Sequence, residues 1–503
     1  MATIAFVIAC LGLAGEPTGP EFVDKAPQGV VVIAGAGEVP AVAVKEFVSA
    51  AKADKGHLVV ISTAANANPE EWKKLFGNAV ASITVLGATD RSEAARKDFS
   101  EVIEKSTGAW LAGGTSEELA ALYAGTPVAE RLASLLGRGG ALGGATGGIL
   151  ASTIITGGKE NPETRPGLGL LPGIIVDTNF RPGTSEERLA KAAAQNSGYS
   201  GLGITDETAF IVRGREVQVL GKGSATWVSV HSGKTQFLTL PRGTRDDLVR
   251  LHRIGGNGPP IPRGRPLLDS GALMAVGGGG MGPDLAKRFI QLAGGDGANI
   301  VILPTAAPET SPTAQGEQAK KLLSKGGDAR FQVLTSAKRQ EVESPDYLTA
   351  LEKANGVWFG GGRQWRFVDA YEGTRFQSAL ESVLKRGGVI GGSSAGATIL
   401  GDYLCRGGPL GNTEIMVPGY DRGFAFLKGV GIDQHFSQRK RFGDMERFSK
   451  SHPEFIGVGI DEGTALIVTP RGAEALGPGK VHVYKGGKQL SAHASGDRFT
   501  LSP

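Results

Sequence analysis

An apolar run, Val389-Ile390, enters the segment Gly391-Gly392-Ser393-Ser394-Ala395-Gly396. Small residues on both sides of a serine let a strand turn sharply into a helix and present Oγ at the turn, the geometry of a nucleophile elbow. The amide of Ala395, at the start of the following helix, would face an oxyanion developing on a substrate carbonyl. A serine becomes a useful nucleophile only with a base in reach and an acid to orient that base. Two downstream segments offer them. Gly431-Ile432-Asp433-Gln434-His435 and Gly457-Val458-Gly459-Ile460-Asp461-Glu462 each run from an apolar strand to a titratable residue just past its end. Strand ends on one edge of a parallel sheet are where catalytic groups gather. The expected chemistry is acyl transfer through Ser394, with His435 as base and Glu462 as its orienting acid.

The chain carries this framework twice. Residues 106–150 align without a gap on residues 354–398 at a constant offset of 248. Trp110 falls on Trp358, Tyr123 on Tyr371, Gly143-Gly144 on Gly391-Gly392, and Thr146 on Ser394. Further on, Gly173–Phe180 aligns with Gly429–Phe436, and Gly201–Thr208 with Gly457–Thr464. Asn179 then stands where His435 does, and Asp206 where Glu462 does. The framework matches while the three chemical positions differ together, as expected if Ser394, His435 and Glu462 form one unit. A neutral amide such as Asn179 cannot take a hydroxyl proton at neutral pH, so Thr146 has no base. The second half is therefore expected to be the active one.

Composition narrows the alternatives. At 503 residues, two or three domains are expected rather than one core. The 78 glycines follow short apolar runs, where strand-to-helix turns need φ > 0 or close backbone approach. A net charge of +4 with dispersed Lys and Arg gives no nucleic-acid footprint. Two cysteines, Cys10 and Cys405, exclude a disulfide framework, and the seven histidines form no metal-ligand spacing. Gly277, Gly279 and Gly282 satisfy G-x-G-x-x-G after a strand, but the next strand ends Leu303-Pro304-Thr305 without the carboxylate that a dinucleotide ribose needs. That motif reads as a tight turn. No cofactor and no metal are expected.

The elements that must position these residues alternate between strand and helix. Val30–Ala34, Leu58–Ser62 and Ile83–Leu86 in the first half, and Ala272–Val276, Ile300–Leu303 and Phe331–Leu334 in the second, are short apolar runs. Amphipathic stretches such as Ser378–Lys385 separate them. Runs of this kind suggest parallel strands buried on both faces. The expected fold is α/β, a doubly wound sheet in each half, each closed by a hairpin-rich tail, Phe210–Leu240 and Ala465–Leu501. The Pro-, Gly- and Arg-rich stretch from Pro241 to Gly271 holds the boundary. The expected domains are 21–245 and 271–503, with a linker at 246–270.

Residues 1–20 begin with MATIAFVIACLGLAG, too short to span a bilayer, which needs about 20 apolar residues. The pattern is that of a signal-peptide core with a small-residue exit, although no Lys or Arg precedes it. Export to the periplasm or outside the cell is the expectation, with a cytoplasmic protein as the alternative.

The second half, from about Gly271, resembles cyanophycinase and, more broadly, the serine-peptidase family that also holds aspartyl dipeptidase (dipeptidase E). The motifs that carry the resemblance are Trp358-Phe359-Gly360-Gly361-Gly362 with Gln364, and Gly391-Gly392-Ser393-Ser394-Ala395-Gly396-Ala397. Downstream they continue with Asp433-Gln434-His435-Phe436, Arg439 and Arg441, and with Gly459-Ile460-Asp461-Glu462. The resemblance implies a flavodoxin-like, class I glutamine-amidotransferase-like sheet and a Ser-His-Glu triad. It also implies cleavage on the carbonyl side of an aspartyl residue, and a substrate pocket of Gln364, Asp433, Gln434, Arg439 and Arg441. Cyanophycinase itself degrades a poly-aspartate backbone whose β-carboxyls carry arginine, releasing β-Asp-Arg. One departure stands out: relatives usually carry a further pocket arginine where this chain has Asp444. In the first half, Ser116 lies opposite Gln364, a further loss.

The resulting expectation is a serine peptidase with one active half. Ser394 attacks, His435 transfers the proton, and Glu462 orients the imidazole. The amides of Ala395 and of the Gly361-Gly362 turn hold the oxyanion. The substrate is a small peptide or a poly-aspartate-type polymer. The alternatives are an aspartyl or isoaspartyl dipeptidase on short peptides, and a non-catalytic binding protein. Because family members are commonly homodimers, the tandem copy is expected to make an intrachain pseudo-dimer, with further homo-oligomers left open.

Overall fold

The computed structural model describes residues 26–52, 54–76, 79–157, 162–231, 233–254 and 260–501. The expected signal segment at 1–20, with Cys10, lies outside the described residues. The chain divides between residues 258 and 259 into two compact units. No helix among the described residues is long and apolar enough to cross a membrane.

In the second unit the strand Ala272–Val276 is buried at all five positions, which is what a run without polar alternation requires. It pairs in parallel with Val389–Ser393, which pairs in turn with Gly356–Phe359, then Asn299–Leu303, then Arg330–Val333. Helices Pro283–Leu292, Pro312–Leu323, Pro345–Lys353 and Arg375–Lys385 connect these strands. One packing contact shows how sequence sets the layer. Phe289 meets Trp358 edge-on at 5.0 Å, and a Cβ on Gly391 would stand 2.8 Å from the Phe289 ring and 3.0 Å from Trp358. Only glycine lets the strand that leads to Ser394 pass under that aromatic pair.

The tail does not fold as an appendage. Ala465–Thr469 lies antiparallel beside Ala272–Val276, followed by Gly472–Leu476 and Arg498–Phe499, completing an eight-stranded sheet. Val481–Lys485 and Lys488–His493 instead extend a second, five-stranded sheet. Its other members, Gly401–Tyr403, Leu427–Gln434 and Ile456–Ile460, are parallel. Each unit has the expected α/β fold, and its hairpin-rich tail is divided between two sheets. The physical reason is edge satisfaction. Ala465–Val468 is apolar and buried, so its backbone donors and acceptors must be met within a sheet.

The first unit repeats this plan. Its larger sheet runs in the same order, with Val30–Ala34 between Thr208–Arg213 and Ala141–Gly144. Helix Pro127–Gly137 matches Arg375–Lys385 at an offset of 248, and helix Glu186–Gln195 matches Phe442–Ser451 at an offset of 256. The rise in offset means the second unit carries eight more residues between Thr398 and Leu427 than the first carries between Leu150 and Leu171. The aromatic contact recurs too, Phe47 against Trp110 at 4.9 Å.

The stretch expected as a linker at 246–270 is ordered at both ends. Strand Arg245–Asp247 and helix Leu248–Arg253 close the first unit's sheet, and Asp247 caps that helix by accepting from the Arg250 amide at 2.9 Å. Farther on, the Arg263 amide donates to Asp402 Oδ2 at 2.7 Å in the second unit. At both places a carboxylate that accepts a backbone amide fixes the chain.

Candidate functional site

Ser394 joins strand Val389–Ser393 to helix Ala395–Thr398 with φ 56° and ψ −114°, a backbone state that L-residues rarely hold. The flanking glycines make it attainable. A Cβ on Gly392 would lie 2.3 Å from the Gly396 carbonyl oxygen, and one on Gly396 would lie 2.1 Å from that of Phe359. The Ser394 amide donates to the Val276 carbonyl at 3.0 Å, fixing the turn against the central strand. Gly361 lies alongside, since a Cβ there would reach to 3.6 Å of Ser394 Cβ. Gly362, at φ 137°, packs against the Ala306 carbonyl.

His435 follows strand Leu427–Gln434 at φ 50°. Its Nε2 is 3.0 Å from Ser394 Oγ, and its Nδ1 is 2.5 Å from Glu462 Oε1. Glu462 sits just past strand Ile456–Ile460, where its amide donates to Gln438 Oε1 at 3.0 Å. Three side chains far apart in sequence thus form one hydrogen-bonded row. Burial lowers the His435 pKa below its ordinary value; the Glu462 hydrogen bond works against this, while the Arg439 and Arg441 charges add to it. The ring is therefore neutral at pH 7 and able to accept a proton.

The glycine turn that mimics a dinucleotide motif has a different use here. The Gly277 carbonyl accepts from the His435 amide at 2.7 Å, and the Gly278 carbonyl accepts from that of Gly463 at 2.8 Å. A Cβ on Gly278 would stand 2.2 Å from His435 Cε1, and one on Gly279 would stand 2.5 Å from Glu462 Cβ. The turn is the wall on which the histidine and the glutamate rest.

Asp461 is a positioning group that strand patterning did not single out. Its Oδ1 accepts from the Ser437 amide at 3.0 Å and its Oδ2 from the Lys480 amide at 2.9 Å, with His482 Nε2 at 3.5 Å. It ties the segments bearing His435 and Glu462 to strand Val481–Lys485. Burial alone would raise its pKa, but the hydrogen bonds from His482, Ser437 and Lys480 outweigh it and hold the carboxyl far below the usual range. In the first unit, Thr205 and Thr226 take the places of Asp461 and His482.

The five expected pocket residues divide by burial. Gln364 is buried, and its Nε2 donates to the Cys405 and Arg406 carbonyls at 2.8 and 2.6 Å. Asp433 is fully buried and paired with Arg441 at 2.7 Å and with Arg406. Gln434 is buried, with Oε1 lacking a hydrogen-bond partner. Arg439 is exposed. Arg406, absent from the expected set, is the partner of both Asp433 and Asp444. Among the described residues, no group of three or more His, Cys, Asp or Glu side chains is placed to hold a metal ion.

The first unit does not assemble this row. Thr146 has relaxed to φ −98°, ψ 34°, and its hydroxyl donates to the Gly114 carbonyl at 3.1 Å. The short helix after Ser394 is replaced by a 3₁₀ turn at Gly147–Leu150. The Asn179 amide donates to Asp177 Oδ1 at 3.0 Å. The neighbouring Glu207 pairs with Lys222.

Two stretches, residues 42–220 and 273–476, match the model of Peptidase family S51. The chain is 32% identical to the cyanophycinase of Geminocystis herdmanii over 208 residues, 41% of this chain and 76% of that one. It is 28% identical to the cyanophycinase of Trichormus variabilis over 218 residues, 42% of this chain and 72% of that one. Among solved structures, a peptidase from an acI-B1 Actinobacterium covers 46% of this chain and 97% of its own, at 23% identity and a TM-score of 0.38. A putative peptidase E from Listeria monocytogenes EGD-e covers 41% of this chain and 98% of its own, at 16% identity and a TM-score of 0.32.

Proposed function

This chain belongs to peptidase family S51 and is a serine-type peptidase, and on that premise we propose that its second unit cleaves aspartyl peptide bonds through Ser394, His435 and Glu462. The observation that carries the reading is the continuous row from Ser394 Oγ through the His435 ring to Glu462, with links of 3.0 and 2.5 Å. In this reading Ser394 is a nucleophile elbow. Its Oγ attacks the scissile carbonyl carbon while His435 Nε2 takes the hydroxyl proton. Glu462 holds the imidazole by Nδ1 and stabilises the imidazolium. The amides of Ala395 and of Gly361 or Gly362 receive the oxyanion. The C–N bond breaks as His435 passes its proton to the leaving amine, leaving an acyl-enzyme. Water then attacks the ester, with its proton returning through His435, and Ser394 is released.

Substrate recognition in this proposal falls to Arg439 in the open, backed by the buried set of Gln364, Asp433, Gln434 and Arg441. The relatives named cyanophycinase support a poly-aspartate substrate bearing arginine. Asp444 favours a second reading, an aspartyl or isoaspartyl dipeptidase, because an acid there cannot hold a substrate carboxylate as the arginine usual in cyanophycinases would.

Purified protein incubated with cyanophycin, β-Asp-Arg, a set of Asp-X dipeptides and a set of peptides lacking aspartate, with products identified by mass, tests both readings. Release of Asp-containing products supports aspartyl cleavage, and the preferred substrate chooses between polymer and dipeptide. Cleavage only of peptides lacking aspartate overturns it.

A further inference from the structure

Asp433 precedes Gln434-His435 and is fully buried, so its charge demands a partner. The first unit shows one solution. Asp177, at the same place, is met by Arg188 Nη2 at 2.7 Å, from the third position of helix Glu186–Gln195. The third position of the matching helix Phe442–Ser451 is Asp444. The second unit has reversed the charge there and draws its guanidinium from elsewhere.

Two guanidinium groups supply it: Arg441, whose Nη1 lies 2.7 Å from Asp433 Oδ1, and Arg406, which alone also reaches Asp444. The Arg406 Nε lies 3.0 and 3.1 Å from the two Asp433 oxygens, and its Nη2 lies 3.0 Å from Asp433 and 2.6 Å from Asp444. Its Nη1 donates to the Asn412 and Thr413 carbonyls at 3.1 and 2.7 Å. The side chain is 2% exposed, and the residue holds φ 56°. Its carbonyl, with that of Cys405, accepts from Gln364, three residues beyond Gly361 in the turn beside Ser394. Arg363 Nη2 grips the same segment at the Gly408 carbonyl, at 2.8 Å. Arg406 sits in the stretch between Thr398 and Leu427 where the second unit is eight residues longer.

We infer that Arg406 is a positioning residue for substrate specificity: with Asp444 it replaces the Arg-on-helix pair of the first unit and pins the 404–420 segment as a fixed wall of the pocket. Its donors are spent on protein acceptors, so it orients the wall rather than binding substrate. The exchange turns a position that offers a cation in the first unit into one that carries Asp444, 29% exposed, with Oδ2 on Arg406 and Oδ1 3.1 Å from Arg447 Nη2. Substrates whose cationic group faces that wall are then favoured over polyanionic ones.

The inference rests on the second unit being the active one, and the test separates the two. A small fluorophosphonate reports whether Ser394 is a nucleophile at all. A diphenyl phosphonate of aspartate whose β-carboxyl carries arginine, and so presents a guanidinium, then reports its inactivation constant, KI, and its limiting rate separately. In the full chain, Arg406→Ala and Asp444→Arg should each raise KI about tenfold, with the limiting rate within about twofold. The double variant Arg406→Ala/Asp444→Arg should recover KI to within about threefold of the unaltered chain, because Arg at 444 can take Asp433 as Arg188 takes Asp177. Asp444→Asn, which leaves the buried Arg406–Asp433 pair intact, should raise KI about threefold and keeps the test open if a single variant misfolds. Unchanged KI in Asp444→Asn and Arg406→Ala, or no recovery in the double variant while the small fluorophosphonate still labels Ser394, overturns the inference. Failure of that label in the unaltered chain overturns the proposed active site instead.

Discussion

Gly278 lies so close under His435 that a Cβ on it would stand 2.2 Å from the imidazole Cε1. Its φ of 91° also belongs to a region that side chains avoid. A residue without a side chain thus sets where the base can sit. Gly278→Ala should push the ring off Ser394 Oγ and lower kcat about 10²-fold, the scale of a 1 Å misplacement, with KM little changed. Steady-state kinetics on whichever Asp-peptide is cleaved reads this, and a wild-type kcat would mean the ring has room that the geometry denies.

Removing the row itself is harsher. Ser394→Ala or His435→Ala should lower kcat by roughly 10⁴ to 10⁶, and the double variant should be little worse, because the groups act as a unit. Thr146→Ala should leave activity near wild type, since the Thr146 hydroxyl is bonded to the Gly114 carbonyl. Activity that survives Ser394→Ala and dies with Thr146→Ala would reverse the assignment of the active unit.

Ser394, His435 and Glu462 were legible because each ends an apolar strand within a short, locally specified motif. The duplication helped, since Asn179 in its place makes His435 one of three positions that differ together within a matching framework. What was not legible depends on partners distant in the chain. Nothing near Arg406 announces that its partners are Asp433 and Asp444. The Gly277–Gly280 turn looks like a nucleotide loop until the strand order brings it beside residues more than 150 positions away. The hairpin Ala465–Leu476 reads as a tail because local pattern cannot say which sheet edge will accept it. The burial of Gln364 and Asp433 followed the same rule: polar residues in a motif do not declare whether they face a ligand or another protein segment.

The pH dependence follows from His435. Burial lowers its pKa below the ordinary histidine value, so the neutral, active form persists into mildly acid solution. The acid limb of kcat/KM should therefore fall below about pH 6.5. Arg439 is exposed and its charge pushes the same way, so Arg439→Gln should move the limb upward. Glu462 favours the protonated ring, so Glu462→Gln should move it downward while slowing the reaction. A shift of the limb to lower pH in Arg439→Gln would remove that cation from the account.

Asp461 offers the last test, because it serves the site without touching a reacting atom. Its two oxygens accept the Ser437 and Lys480 amides at 3.0 and 2.9 Å, joining the segments that carry His435 and Glu462 to a neighbouring strand. Asp461→Ala leaves both amides unmet and should cost about 2–3 kcal/mol of stability, the scale of losing bonds to a charged acceptor. Asp461→Asn keeps one acceptor and should cost less. Because the folded carboxyl is held below its unfolded value, its stabilisation is present above the unfolded pKa and is lost as pH falls through the folded one. Asp461→Asn should therefore flatten the acid side of the stability curve below the ordinary carboxylate range, read by thermal unfolding across pH. If Asp461 positions the row, kcat should fall about 10²-fold in Asp461→Ala with KM nearly constant and partial return in Asp461→Asn. A loss of stability with kcat intact would leave Asp461 a structural residue only.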